Sequence, residues 1–151
     1  MLRRALLTIT AASTGLSAGA MLFIRVALLP FWQGSPPHEF RAWFAAHSER
    51  IRSLMVPLGA AAAGTAATTA LAQAATGDDG RTSAAVAALS AAGVGVVTYA
   101  VNEPANHQLV REDLDDDETA RLLHRWARWH DVRVVLGLVG ALAAARTASR
   151  S

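Results

Sequence analysis

Three stretches of this chain, residues 5–24, 53–76 and 82–102, contain no charged side chain. As a helix, each is long enough to cross roughly 30 Å of hydrocarbon. A water-soluble helical bundle needs a polar face on every helix, and none of the three has one, so the chain is read as a membrane protein. The last apolar run, 134–145, is uncharged but too short to span alone. For it to cross, the segment Arg125-Trp126-Ala127-Arg128-Trp129-His130-Asp131-Val132-Arg133 that precedes it must be drawn toward the bilayer. Ionisable groups at that depth are costly and by default mark a functional site.

The expected fold is all-α: a single domain over 1–151, folded as an antiparallel four-helix transmembrane bundle. The pattern places helices at about 2–31, 36–75, 83–101 and 117–145. The second and fourth exceed the bilayer and are expected to extend beyond it on one side, with the 102–118 connection. Punctuation sets these limits. Pro30-Phe31-Trp32 reads as an aromatic interfacial anchor, Ser35 as an N-cap and Pro36 as a first helical residue. Pro57 is expected to kink the second helix. Gly77-Asp78-Asp79-Gly80 reads as a loop and Asn102-Glu103-Pro104 as a break, and the acidic stretch from Glu112 to Glu118 leads the fourth helix. Small residues at helical spacing, Gly15 with Gly19 and Ala60 with Gly64, suit close helix contact and an oligomer face. Met1-Leu2-Arg3-Arg4 followed by Ala18-Gly19-Ala20 has the form of a cleavable leader. The apolar run, however, continues to Trp32 with Arg25 its only charge, as a spanning helix does.

Composition removes several chemistries. There is no cysteine, hence no thiolate ligand, thiol nucleophile or disulfide. All 14 basic residues are arginine, dispersed along a chain of net charge +2, which gives no support to nucleic-acid binding. At 100° per residue, Leu122, Trp126, Trp129, His130, Arg133 and Gly137 share one face of the fourth helix, opposite Arg121, His124, Arg128 and Asp131. On the second helix, Phe40, Trp43, Phe44, His47, Ile51, Leu54 and Leu58 form a stripe, with Arg41, Ser48, Glu49 and Arg52 pointing away. The two faces mix aromatics with His and Arg and are expected to form a pocket near the membrane surface.

Two local patterns carry a resemblance. Pro104-Ala105-Asn106-His107-Gln108-Leu109 fits P-x-N-x-x-L at the end of a third span. Arg125-Trp126, His130 and Arg133 fit R-W-x-x-x-H-x-x-R at the opening of a fourth. In this order, among four apolar segments, they resemble the anthrone oxygenase-like family of small integral-membrane proteins. The resemblance implies oxidation of an electron-rich, anthrone-like polyketide aromatic by molecular oxygen, with no metal or organic cofactor.

Such a reaction needs a general base, donors for a developing oxyanion and a flat apolar slot. The expected catalytic set is His130 as base, Arg133 and Asn106 as oxyanion donors, and Trp126 as a stacking wall or indole donor. Trp43, His47, Trp129, His107, Asn102 and Arg25 are the expected substrate-binding residues, with His47 and His107 as alternative bases. The expected partners are the lipid bilayer and a small aromatic molecule. Two other functions compete. One is a metal-dependent membrane oxidase using His47, His107 and His130 with Glu103, for which no diagnostic ligand spacing is present. The other is a non-enzymatic small membrane subunit or transporter component, with the polar cluster as a relay; neighbouring genes would separate it from an oxygenase.

Overall fold

The computed structural model describes residues 1–111 and 113–150; Glu112, at the head of the acidic stretch, lies outside the described residues. Four long helices, α1 (Leu2–Gly34), α2 (Pro37–Thr76), α3 (Arg81–Val110) and α4 (Asp116–Ser149), are each long and apolar enough to cross a membrane. They run alternately up and down, and no strand occurs among the described residues.

The bundle is apolar outside and partly polar within. Ile9, Leu16, Leu71, Leu89, Val135 and Leu142 are exposed, whereas Thr10, Ser13, Thr14, Ser17, Thr69, Gln73 and Ser90 are buried. That distribution suits lipid, where burial of apolar surface gives little drive and interhelical hydrogen bonds and close packing hold helices together. The Thr10 and Thr69 hydroxyls meet at 2.8 Å, and those of Ser13 and Thr65 at 2.9 Å, which ties α1 to α2. Close packing falls on glycines other than the expected ones. A Cβ on Gly140 would stand 3.1 Å from Ser90 Cβ, and one on Gly137 would strike the Met21 side chain. Gly15, Gly19 and Gly64 have open space around them instead. An alanine contact of Ala66, Ala87 and Ala144 forms the waist. At one end a larger cluster gathers Trp32, Phe40, Phe44, Leu109, Leu122 and Trp126.

Helix limits differ from expectation at two places. Ser35 does not cap α2; its hydroxyl donates back to Phe31 O at 2.8 Å and closes α1. The third helix does not break at Asn102-Glu103-Pro104 but continues to Val110. Proline lacks an N–H and its ring crowds the carbonyl four residues earlier, so the α-ladder loses a bond at it; α2 carries Pro57 within a continuous α-helix. Both α1 and α3 accommodate their proline with a wider π-type turn just ahead of it, Ile24–Leu28 before Pro30 and Thr98–Asn102 before Pro104. The residue before each proline reaches five back: Leu29 N–H to Ile24 O, and Glu103 N–H to Thr98 O. Such turns concentrate at functional sites, and both lie beside the aromatic end. Helix α4 starts as its sequence asks: Asp115 and Glu118 form a reciprocal capping box, with acidic residues through the first turn.

Candidate functional site

A cavity of about 220 Å³ runs among the four helices from beside the alanine waist to the aromatic end. It is larger than the roughly 150 Å³ apolar cavity known to take up benzene in an engineered protein. Its walls are mostly apolar: Met21, Ile24 and Trp32 of α1, Phe44, Ile51 and Met55 of α2, Val94 of α3, and Trp126 and Leu136 of α4. A small polar set interrupts them, chiefly Arg52, Thr98, Glu103, Asn106 and Arg133. The lining residues that are also exposed, Arg52, Val56, Ala60 and Tyr99, belong to α2 and α3. The cavity therefore opens between those two helices, within or next to their uncharged runs.

Helix α4 supplies the centre. Trp126, His130 and Arg133 fall on its buried face because three and four residues make about one turn. The Trp126 ring and the His130 imidazole stack, with centroids 4.7 Å apart and planes 14° from parallel. The Arg133 guanidinium stands 5.6 Å from the Trp126 ring centre. Arg133 donates through Nη1 to Thr98 Oγ1 (3.1 Å) and through Nη2 to His130 Nδ1 (2.6 Å), while its buried Nε has no partner. Since Nδ1 accepts from a guanidinium, His130 is the Nε2–H tautomer and donates to the Met21 carbonyl at 2.9 Å. His130 is 0 % exposed and does not line the cavity; it reaches that space only through Arg133.

Helix α3 supplies the second side. Its wide turn takes up more than four residues, which holds Thr98, Asn102 and Asn106 closer to one line than an α-helix would. Thr98 meets Arg133, Asn102 Nδ2 donates to Trp126 O at 3.3 Å, and Asn106 Oδ1 accepts from Trp126 Nε1 at 2.8 Å. The other end of the Asn106 amide donates to Glu103 Oε1 at 3.1 Å. Glu103 Oε2 in turn accepts from Arg52 Nε of α2 at 3.2 Å. A continuous polar chain thus runs from Arg52 through Glu103 and Asn106 to Trp126 along the cavity wall.

The structure brings together the four expected catalytic residues, Trp126, His130, Arg133 and Asn106, with Asn102 behind them. It places others elsewhere. Arg25 forms an ion pair with Asp131, both about half exposed, away from the cavity; each is the other's neutraliser near the apolar region. Trp129 sits at the margin of the buried face, is 38 % exposed and does not line the cavity. His107 faces outward. Trp43 and His47 stack on each other 4.6 Å apart beside Trp32, outside the lining, with His47 Nδ1 bonded to Trp43 O at 2.8 Å. His47, His107 and His130 therefore do not converge, and no group of three or more His, Asp or Glu among the described residues could hold a metal ion.

Three contributors are not evident from the sequence. Trp32, expected at the interface, is buried and lines the cavity against Phe40, Trp43, Phe44 and Trp126, with its Nε1 unpartnered. Arg52, expected on the outer face of α2, bonds Glu103. Glu103 itself, expected only as a metal ligand, is a hydrogen-bonded carboxylate of the cavity wall. For Trp32 the available signal is Pro30: the wide turn ahead of it rotates the last turn of α1, and Trp32 with it, inward.

No curated protein and no solved structure matches this chain. A family match does exist and covers residues 40–143, from the first turn of α2 through most of α4. That span includes Arg52, Glu103, Asn106, Trp126, His130 and Arg133, and leaves Trp32 and the Met21 carbonyl of α1 outside it. On this match the chain belongs to the anthrone oxygenase family.

Proposed function

We propose that this protein is a multi-pass membrane oxygenase that oxidises an electron-rich, planar aromatic of the anthrone type with O₂. The observation that carries the reading is Arg133. It is 8 % exposed, lines a largely apolar cavity, and no carboxylate among the described residues forms an ion pair with it. A buried cation without a paired anion is costly, and a substrate oxyanion would relieve that cost. In a medium of low dielectric such a preset donor stabilises developing charge far better than water does.

The chemistry follows from the substrate class. An anthrone has an acidic methylene, and removing its proton gives an enolate electron-rich enough to reduce oxygen itself. The proposal accordingly needs no metal or organic cofactor, and O₂ is the co-substrate. Trp126 and Trp32 offer faces and edges to a flat ring system. Arg133 receives the enolate oxygen. His130 acts through Arg133 as a positioning residue: it fixes the guanidinium from one side while Thr98 holds it from the other. The mouth between α2 and α3 suits a substrate dissolved in the bilayer.

Oxygen consumption by detergent-purified protein given anthrone tests this. Arg133→Lys keeps the charge but cannot span Thr98 and His130 with one planar fork. Loss of one preset oxyanion donor costs about 10² to 10³ in kcat, and a fall of that size is expected, with turnover unchanged by chelators. Wild-type protein that consumes no oxygen with any anthrone tried would remove the oxygenase reading.

A further inference from the structure

We propose that Glu103 is the group that takes the methylene proton of the substrate, an inference that rests on the oxygenase reading of the same cavity. Glu103 is the one carboxylate among the described residues that line the cavity, and its side chain is 15 % exposed. It is held rather than free, since Arg52 binds Oε2 at 3.2 Å and Asn106 binds Oε1 at 3.1 Å.

Lone-pair arithmetic separates it from His130. An ionised carboxylate has about four acceptor sites, so two remain open after those bonds. A neutral imidazole has one acceptor nitrogen. In His130 that nitrogen is occupied by Arg133 at 2.6 Å, and the other gives its hydrogen to Met21 O at 2.9 Å. His130 would have to break a short charge-assisted bond and turn toward a cavity it does not line. Glu103 has only to accept. Its position is coupled to the wall as well, because Asn106 grips Glu103 with its amide N–H and Trp126 Nε1–H with its oxygen. A ring lying against Trp126 is thus registered against the carboxylate, with Arg133 on the same cavity.

In the proton-transfer step the methylene C–H bond breaks, an O–H bond forms on Glu103, and the electron pair stays on the substrate as an enolate whose oxygen faces Arg133. The enolate gives one electron to O₂, and recombination makes the C–O bond of a peroxide anion. Glu103 returns its proton to that anion. Loss of the second C–H proton with cleavage of the O–O bond leaves the ketone and one water.

Proton removal can be read without oxidation. Under argon in D₂O, detergent-purified wild type should speed exchange of the anthrone methylene hydrogens above the protein-free background. Glu103→Gln should lower the catalysed part by about 10² to 10⁴, while quenching of tryptophan fluorescence by anthrone stays within a few-fold of wild type. Glu103→Asp, which keeps a carboxylate but draws it back by one methylene, should retain a part of the rate. Exchange by Glu103→Gln at the wild-type rate overturns the role of Glu103 and leaves the oxygenase reading standing. Should Glu103→Gln fail to insert and fold, Glu103→Asp carries the test, and a wild-type rate there overturns the proposal. A wild type that neither exchanges hydrogen nor consumes oxygen removes both.

Discussion

Asn106 illustrates how one side chain can set several others. Its oxygen holds the Trp126 indole at 2.8 Å and its nitrogen holds Glu103 at 3.1 Å. Asparagine is suited to this because it is donor and acceptor at once. Asn106→Leu is nearly the same size but removes both functions. A buried indole N–H left without a partner costs about 1 to 3 kcal/mol, so denaturation in detergent should come at correspondingly lower temperature or denaturant. Activity should fall further than that loss explains, because the carboxylate and the ring wall lose their common register. Unchanged stability with unchanged activity would show that neither bond matters. The face shared by Trp126, His130 and Arg133 was legible in the sequence, because turn spacing on one helix is local geometry; Asn106, on α3, joined them only through the resemblance. Arg52 was not legible. It lies at the edge of the buried face of α2, and its partner Glu103 is on another helix.

At the scale of elements, two kinds of glycine need separating. Gly140 lies where α4 crosses α3, and a side chain there meets Ser90 Cβ at 3.1 Å and Ala87 O at 3.6 Å. Gly140→Val should therefore overpack the contact and destabilise the bundle by about 1 to 3 kcal/mol. Gly15→Ala, with nothing within 4 Å of the new methyl, should not destabilise, and should stabilise by up to about 1 kcal/mol as a better helix former. Thermal denaturation in a single detergent, followed by circular dichroism, compares them; equal losses would mean the packing is not as described. The prolines act on a longer range. Pro104 comes with the wide turn that aligns Thr98, Asn102 and Asn106, and Pro104→Ala allows an ordinary α-turn in its place. Helicity should hold, while the rotation of residues 103–110 should cost on the order of 10²-fold in turnover, as ångström-scale misplacement does. Wild-type activity in Pro104→Ala would show that packing alone holds the wide turn.

Around its waist the molecule carries large apolar side chains outward and small polar ones inward. Leu16, Leu71, Leu89 and Leu142 are exposed around a waist of alanines and hydroxyls. In water this surface would aggregate. Expressed protein should accordingly sediment with membranes, resist alkaline carbonate, and be released by detergent. Recovery of a monomer in the soluble fraction without detergent would overturn the membrane assignment. The same inversion explains the site: a cavity bounded by four such helices is apolar by default, so the few polar groups at its wall act in a medium that screens charge weakly.

Residues 5–24, 53–76 and 82–102 determined three spanning helices by themselves, since lipid offers no partner to an unpaired backbone and length then dictates the element; the fourth span needed the charged segment before 134–145 to be drawn in with it. The pattern over Trp126, His130 and Arg133 likewise follows from turn spacing. Tertiary structure decided the rest. The first half of α2 buries Phe40 and Phe44 of the stripe its bulky residues suggest, but Leu54 is exposed and the buried face continues through Ala62, Ala66, Thr69 and Gln73. Large side chains mark the inside of a helix only where water covers the outside; in lipid they face out as readily as in. Whether proline ends a helix or merely widens it also depends on neighbours, here α4, whose carbonyl at Trp126 accepts from Asn102 and keeps α3 in line. For the same reason Trp32 became a wall of the cavity, Gly137 and Gly140 rather than Gly15 and Gly19 the close contacts, and Glu103 a held carboxylate facing it. Each of these needs a partner from another helix, and which partner arrives is a property of the packed bundle.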